Sequence, residues 1–141
     1  MALGSNPGAD NLDKYYVKTS SQTAMQVSAM DFIVEPVSID TAVIRIGKAL
    51  DFRNAAEFKN TTQEQVRNGI QNFILDFTDT GILDSTGLGS IFSLYRQVSP
   101  LSGQVVFASV SRPVQVVVQL TRTYKVFRQF PTVDAARQGI K

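Results

Sequence analysis

The apolar residues of this chain fall in short blocks separated by polar, glycine- and proline-bearing breaks, and the spacing inside each block predicts an element. Phe73-Ile74-Leu75, closed by Asp76, is the continuous apolar run expected of a short strand in a sheet covered on both faces. Val105-Val106-Phe107-Ala108 reads the same way, and Ala42 to Gly47 is a strand that alternates at its end. Phe32-Ile33-Val34 and Val37-Ser38-Ile39 flank Pro36. A proline offers a ladder no N–H, so this first strand is expected at an edge, joined to the next through an Asp40-Thr41 turn.

Four stretches carry helical spacing instead. Phe52 to Asn68 sets Ala55, Ala56, Phe58 and Val66 among polar residues and ends at Gly69. After Gly87, the residues Leu88, Ile91, Phe92, Leu94 and Tyr95 mark one face of a second helix. Ser99 to Gly103 is a turn cluster. Ser111 ahead of Arg112-Pro113 is an N-cap with proline in the first turn, opening a third helix through Val114, Val117, Val118 and Leu120. Its valines would suit a strand equally by propensity, and the Ser-x-Pro start favours the helix. Tyr124 to Phe130 reads as a short extended return, and Pro131-Thr132 opens a fourth helix, Val133 to Ile140.

This order predicts a single α/β domain over 31–141: a mixed β-sheet of about four to five strands with helices packed on it, one edge hairpin and right-handed crossovers. Function in such sheets sits where a strand ends and a helix begins. Residues 1–30, rich in Gly, Ser, Asn, Thr and Gln, read as a flexible N-terminal extension. Its opening Met-Ala-Leu-Gly-Ser has the form of an expression-tag remnant, and Tyr15-Tyr16-Val17 is an apolar island able to dock on the domain.

Composition narrows the chemistry. With 141 residues, 43% hydrophobic and 18% charged, the chain resembles an ordinary globular domain. No apolar run approaches the ~20 residues of a membrane-spanning helix, and no secretory signal opens the chain. The absence of cysteine removes disulfides and thiol chemistry and fits a cytoplasmic location. The absence of histidine removes the usual neutral-pH base and the commonest metal ligand, so zinc sites built on imidazole or thiolate, Ser-His-Asp and Cys-His catalysis are all excluded. Net charge is only +2 but uneven: beyond Ser85 the seven Lys and Arg residues are accompanied by one acid, Asp134. Such a half can serve an acidic protein surface or be scattered solvated charge. No RNP-like, zinc-finger or helix-turn-helix signature points to direct nucleic-acid binding.

The candidate chemistry lies between the Phe73 strand and the second helix. The loop Thr78-Asp79-Thr80-Gly81 leads through Ile82 and Leu83 to Asp84-Ser85-Thr86-Gly87-Leu88-Gly89. Asp84 or Ser85 is the expected N-cap. A serine hydroxyl there sits at the positive end of a helix dipole, where an added phosphate is well accommodated. Gly87 and Gly89 lack a β-carbon, which lets another protein's backbone approach. Gly87-x-Gly89 has neither dinucleotide nor Walker spacing, so no nucleotide is expected to bind here. A remote alternative is Asp79-Thr80-Gly81, which matches the Asp-Thr-Gly of aspartic proteases and would require a homodimer to pair two carboxylates, but lacks a Gly-rich flap.

The motif Asp84-Ser85-Thr86-Gly87-Leu88-Gly89, preceded by a strand and short loop, resembles the signature of STAS domains, in particular the bacterial anti-anti-sigma factors. Gly103 to Ala108, Ser111 to Thr121 and Val126 to Ala136 resemble that family's following strand, third helix and closing segment. Ala49-Leu50-Asp51 stands where the family usually has Gly-Glu-Leu-Asp, and only Leu50 and Asp51 fit. The resemblance implies a non-enzymatic anti-sigma factor antagonist without cofactor or metal, acting in a partner-switching system. It implies Ser85 as phosphate acceptor, an anti-sigma factor with serine kinase activity as partner, and a phosphatase that resets the switch. Asp84, Thr86, Gly87, Leu88 and Gly89 are the implied contact residues, joined by Asp51, which the residues alone also allow as N-cap of the first helix. The alternative it leaves open is a STAS interaction module of another regulatory or transport assembly, working without phosphorylation.

Overall fold

The structure, a computed structural model, describes residues 32–140. The expectations for residues 1–30, including the Tyr15-Tyr16-Val17 island, lie outside the described residues. The elements in chain order are β1 (Ile33–Pro36), β2 (Thr41–Arg45), β3 (Ala49–Leu50), α1 (Ala55–Arg67), β4 (Asn72–Asp76), β5 (Ile82–Leu83), α2 (Ser85–Val98), β6 (Gln104–Ala108), α3 (Arg112–Thr121), β7 (Gln129–Phe130) and α4 (Val133–Gly139), with 3-10 turns at Ser99–Leu101 and Thr123–Lys125. Five strands form the main sheet in the order β1-β2-β4-β6-β7. β2, β4, β6 and β7 are parallel neighbours. The tight turn after β1 is too short for a parallel crossover, so β1 runs against β2 and the sheet is mixed.

The register explains why the apolar runs are continuous. Val43, Ile74 and Val106 lie side by side across three strands, and so do Ile44, Leu75 and Phe107. Successive residues face opposite sides of a strand, so both rows need cover. α4 covers the first row, where Val43, Ile74 and Val106 pack with Ala136 and Ile140. The second row faces α2, against which α1 lies. Its cover includes Phe127, whose ring stacks on Phe107 at 4.9 Å and meets Phe92 and Tyr95 of α2 at 5.1 and 5.6 Å.

Caps fall where side-chain chemistry places them. Ser111 accepts from the Val114 N–H and Thr132 from the Ala135 N–H, opening α3 and α4. Pro36 does end an edge strand, but Val37-Ser38-Ile39 is not part of it: the N–H groups of Val37 and Ser38 both turn to the Thr41 carbonyl, at 2.9 and 3.1 Å. The expected extended return from Tyr124 to Phe130 likewise begins in a 3-10 turn, Thr123–Lys125, and only Gln129–Phe130 pairs with the sheet. Burying Phe127 bends the chain there, with the Val126 and Phe127 N–H groups both bonded to the Thr123 carbonyl. Among the described residues no helix is long and apolar enough to cross a membrane.

Candidate partner-docking site

The loop after β4 is held down step by step. Asp76 accepts from the Thr78 backbone N–H at 3.0 Å and hydroxyl at 2.6 Å, turning the chain out of the sheet. Buried Thr80 donates its hydroxyl to the Gly47 carbonyl at 2.6 Å, and the Gly81 N–H reaches the Lys48 carbonyl at 2.8 Å. These bonds bring Ile82 and Leu83 beside Ala49 and Leu50 as a separate two-stranded parallel sheet, which no local sequence pattern had placed. The chain therefore enters α2 in a fixed position against the loop that enters α1.

Asp84 joins the two loops. One carboxylate oxygen accepts from the Gly87 N–H at 2.7 Å, capping α2, and the other accepts from the Phe52 N–H at 3.0 Å. Asp84, not Ser85, is the cap. Ser85 and Thr86 open the helix, both exposed, and neither side chain bonds another described residue. Their position at the positive end of the helix dipole favours an anion on either hydroxyl. Gly87 and Leu88 differ from expectation because both face inward. Gly87 is pressed on the Leu50 backbone, so its missing β-carbon serves an internal contact, and Leu88 is core. Gly89 is exposed, with nothing within 4 Å of where a β-carbon would stand.

Comparison with known proteins identifies this arrangement. A STAS domain model matches residues 33–136. The chain belongs to the STAS domain family. Over 103 residues, 72% of this chain and 91% of the relative, it is 24% identical to the Thermotoga neapolitana homolog of TM1081, a protein whose name assigns it provisionally to the anti-sigma factor antagonists. The unphosphorylated form of the anti-sigma factor antagonist SpoIIAA superposes with a TM-score of 0.67 at 20% identity, covering 76% of this chain and 94% of that one. Its phosphorylated form, from Bacillus, gives 0.62 at 19%. A sulfate transporter family protein from Wolinella succinogenes gives 0.64 at 16% identity, over 74% of this chain and 87% of that one. These solved structures share the fold of this STAS domain.

Asp51 of the STAS domain departs from both roles expected of it. It is buried, and Phe52 to Asn54 form a turn that delays α1 until Ala55, beyond the reach of its side chain. Asn54 takes the N-cap position, and its own side chain ties the Asp51 N–H and the Ala49 carbonyl. The Asp51 carboxylate closes on Arg53, accepting from its backbone N–H at 3.0 Å and from its guanidinium at 2.7 Å. The surface there belongs to Phe52, 73% exposed, and to Arg53; exposed Ile82 lies on the neighbouring strand. Sequence reasoning missed all three, having absorbed Phe52 and Arg53 into a helix and Ile82 into a loop. Periodicity gave no signal for Phe52, which stands three residues before Ala55, the spacing of neighbours on one helical face. Asp79 is exposed in its turn, unlike the buried carboxylate pair that shares a proton in an aspartic protease.

The bond from the Arg53 guanidinium holds the Asp51 carboxyl below its ordinary 3.8, against the opposing effect of burial. A lowered folded value stabilises the fold fully above the ordinary value and is lost as pH falls through the folded one. Thermal melts of wild type and Asp51→Asn should therefore differ by a constant amount at neutral and mildly acidic pH, and converge as pH drops below 3.8. A difference that widens in acid would contradict this assignment.

Proposed function

We propose that this STAS domain is an anti-sigma factor antagonist switched at Ser85. Unphosphorylated, it binds in the cytoplasm an anti-sigma factor with serine kinase activity, freeing a sigma factor. Transfer of a phosphate to Ser85 ends the complex, and a phosphatase restores it. The observation that carries this reading is the exposed Ser85 hydroxyl at the start of α2, capped by Asp84. Phe52, Ile82, Thr86 and Gly89 are the accessible contacts around it, while Asp51, Gly87 and Leu88 hold the surface from within. SpoIIAA, an anti-sigma factor antagonist known in both phosphorylated and unphosphorylated forms, shares the fold.

Gly89 supports the reading independently. A glycine inside a helix is about 1 kcal/mol less favourable than alanine. No internal neighbour needs the space, so the reason for a glycine is an approach from outside.

A phosphate adds about −1.5 to −2 charges to a surface that the partner covers closely. A penalty of about 3 kcal/mol would weaken the complex roughly 100-fold. Incubation with ATP, Mg²⁺ and an anti-sigma kinase from the same genome should add one phosphate to wild type and none to Ser85→Ala by intact mass. Ser85→Asp should bind that kinase about 100-fold more weakly than wild type. Equal phosphorylation of Ser85→Ala would move the acceptor elsewhere. No phosphorylation by any such kinase would favour a non-phosphorylated module of a transport assembly, a reading supported by the fold shared with the Wolinella protein.

A further inference from the structure

Helix α3 carries apolar side chains on two faces. Val114 and Val118 are buried, whereas Val116 and Leu120, one turn apart, are turned outward and are 52% and 80% exposed. Tyr124 and Val126 in the following turn are exposed as well. Four of the nine large apolar side chains exposed among the described residues thus fall between Val116 and Val126. Isolated exposed apolar residues need no explanation, but a concentration on one helix and the turn that continues it does.

The charge along this stripe has one sign. Arg112 lies one turn before Val116, and Arg122 and Lys125 follow Leu120, all of them exposed. The chain has no Asp or Glu from Ser85 to Val133. Exposed Asp79 precedes Thr80, whose carbonyl accepts from the Ser111 hydroxyl at the N-terminal end of α3, away from Leu120 and Lys125 along the helix. Arg122 itself closes α3 with φ at 59°, the left-handed backbone in which glycine is the usual occupant, so a cation stands there against the backbone's preference.

We propose that this face of α3 is a second docking surface, and that its occupant is an acidic amphipathic helix of another protein. Such a helix would lay apolar residues over Val116 and Leu120 and set carboxylates toward Arg122 and Lys125, the helix-against-face mode of peptide recognition. A second copy of this chain fits poorly, because a two-fold pairing would set the same cations against each other. A bilayer fits less well than a helix. An interfacial helix needs a broad apolar face, and here Val114 and Val118 are already occupied in the core, leaving a stripe one helix wide. This surface does not depend on the Ser85 reading.

The test uses the full chain, ¹⁵N-labelled, and three probes. They are an 18-residue peptide with leucines at helical spacing flanked by glutamates, a scrambled peptide of the same composition, and phosphatidylglycerol/phosphatidylcholine vesicles. The ordered acidic peptide should shift amide signals of Val116, Leu120, Arg122 and Lys125. It should bind at least about tenfold more tightly than the scrambled peptide, and weaken as salt is raised. Leu120→Ser with Lys125→Glu should weaken it by at least about tenfold. Both side chains are exposed, so melting temperature should be unchanged in that variant, which separates lost docking from lost fold. Equal binding of the scrambled peptide, shifts centred elsewhere, or cosedimentation with vesicles without peptide binding would each overturn the proposal.

Discussion

Gly87→Ala is expected to cost about 3 kcal/mol of stability, at the upper end for overpacking, while Gly89→Ala, two residues on, stabilises the fold by up to about 1 kcal/mol. The two glycines share a helix and differ in what lies beside them. A β-carbon at Gly87 would overlap the Leu50 carbonyl oxygen and stand 2.7 Å from its carbon, and that carbonyl belongs to β3. Relief requires backbone movement in β3 or at the start of α2. Either movement strains the Asp84 bridge to the Gly87 and Phe52 N–H groups, so binding of the proposed partner should fall with stability. At Gly89 nothing resists a methyl group. If that position admits a partner's backbone, Gly89→Ala melts higher yet binds more weakly, a combination that a purely internal role does not produce. Urea denaturation of both variants, with binding measured well below each transition, separates these effects. A neutral Gly87→Ala would disprove the close packing of α2 on β3.

Phe127→Ala should lose about 3–5 kcal/mol and melt about 15 °C or more below wild type. The Phe127 ring is fully enclosed, stacked on Phe107 and set edge-on to Tyr95, and Phe107 in turn meets Phe77 at 4.9 Å. It fastens the turn after α3 to both the sheet and α2. Removing it leaves a cavity lined by rings that cannot collapse to fill it. The urea midpoint should fall without a change in slope, which distinguishes a weaker native state from a rearranged one. A loss below about 1 kcal/mol would mean that the turn is not anchored there.

The sheet was legible because a strand covered on both faces must be apolar at every position, and Phe73-Ile74-Leu75 and Val105-Val106-Phe107-Ala108 are. The starts of α2, α3 and α4 were legible through Asp84, Ser111 and Thr132, each of whose side chains accepts from the N–H three residues on. What escaped depends on partners distant in sequence. β3 and β5 are two residues each and exist because Ala49 and Leu50 meet Ile82 and Leu83, more than thirty positions away. Asp51 reads as a helix cap until the Phe52–Asn54 turn is seen to carry α1 out of its reach. The Asp-Ser-Thr-Gly motif marked the junction at which α2 begins. The inward turn of Leu88 was written in the apolar spacing of α2, whereas burial of Gly87 follows from a contact with Leu50 that the motif does not encode.

The borders of the main sheet have a further consequence. On one side β1 is four residues long and closes on Pro36, and on the other β7 contributes only Gln129 and Phe130 before Pro131. Among the described residues neither border offers a long run of unpaired backbone donors and acceptors on which a neighbouring molecule could extend the ladder. Borders this brief give a neighbouring copy little backbone from which to seed a fibril.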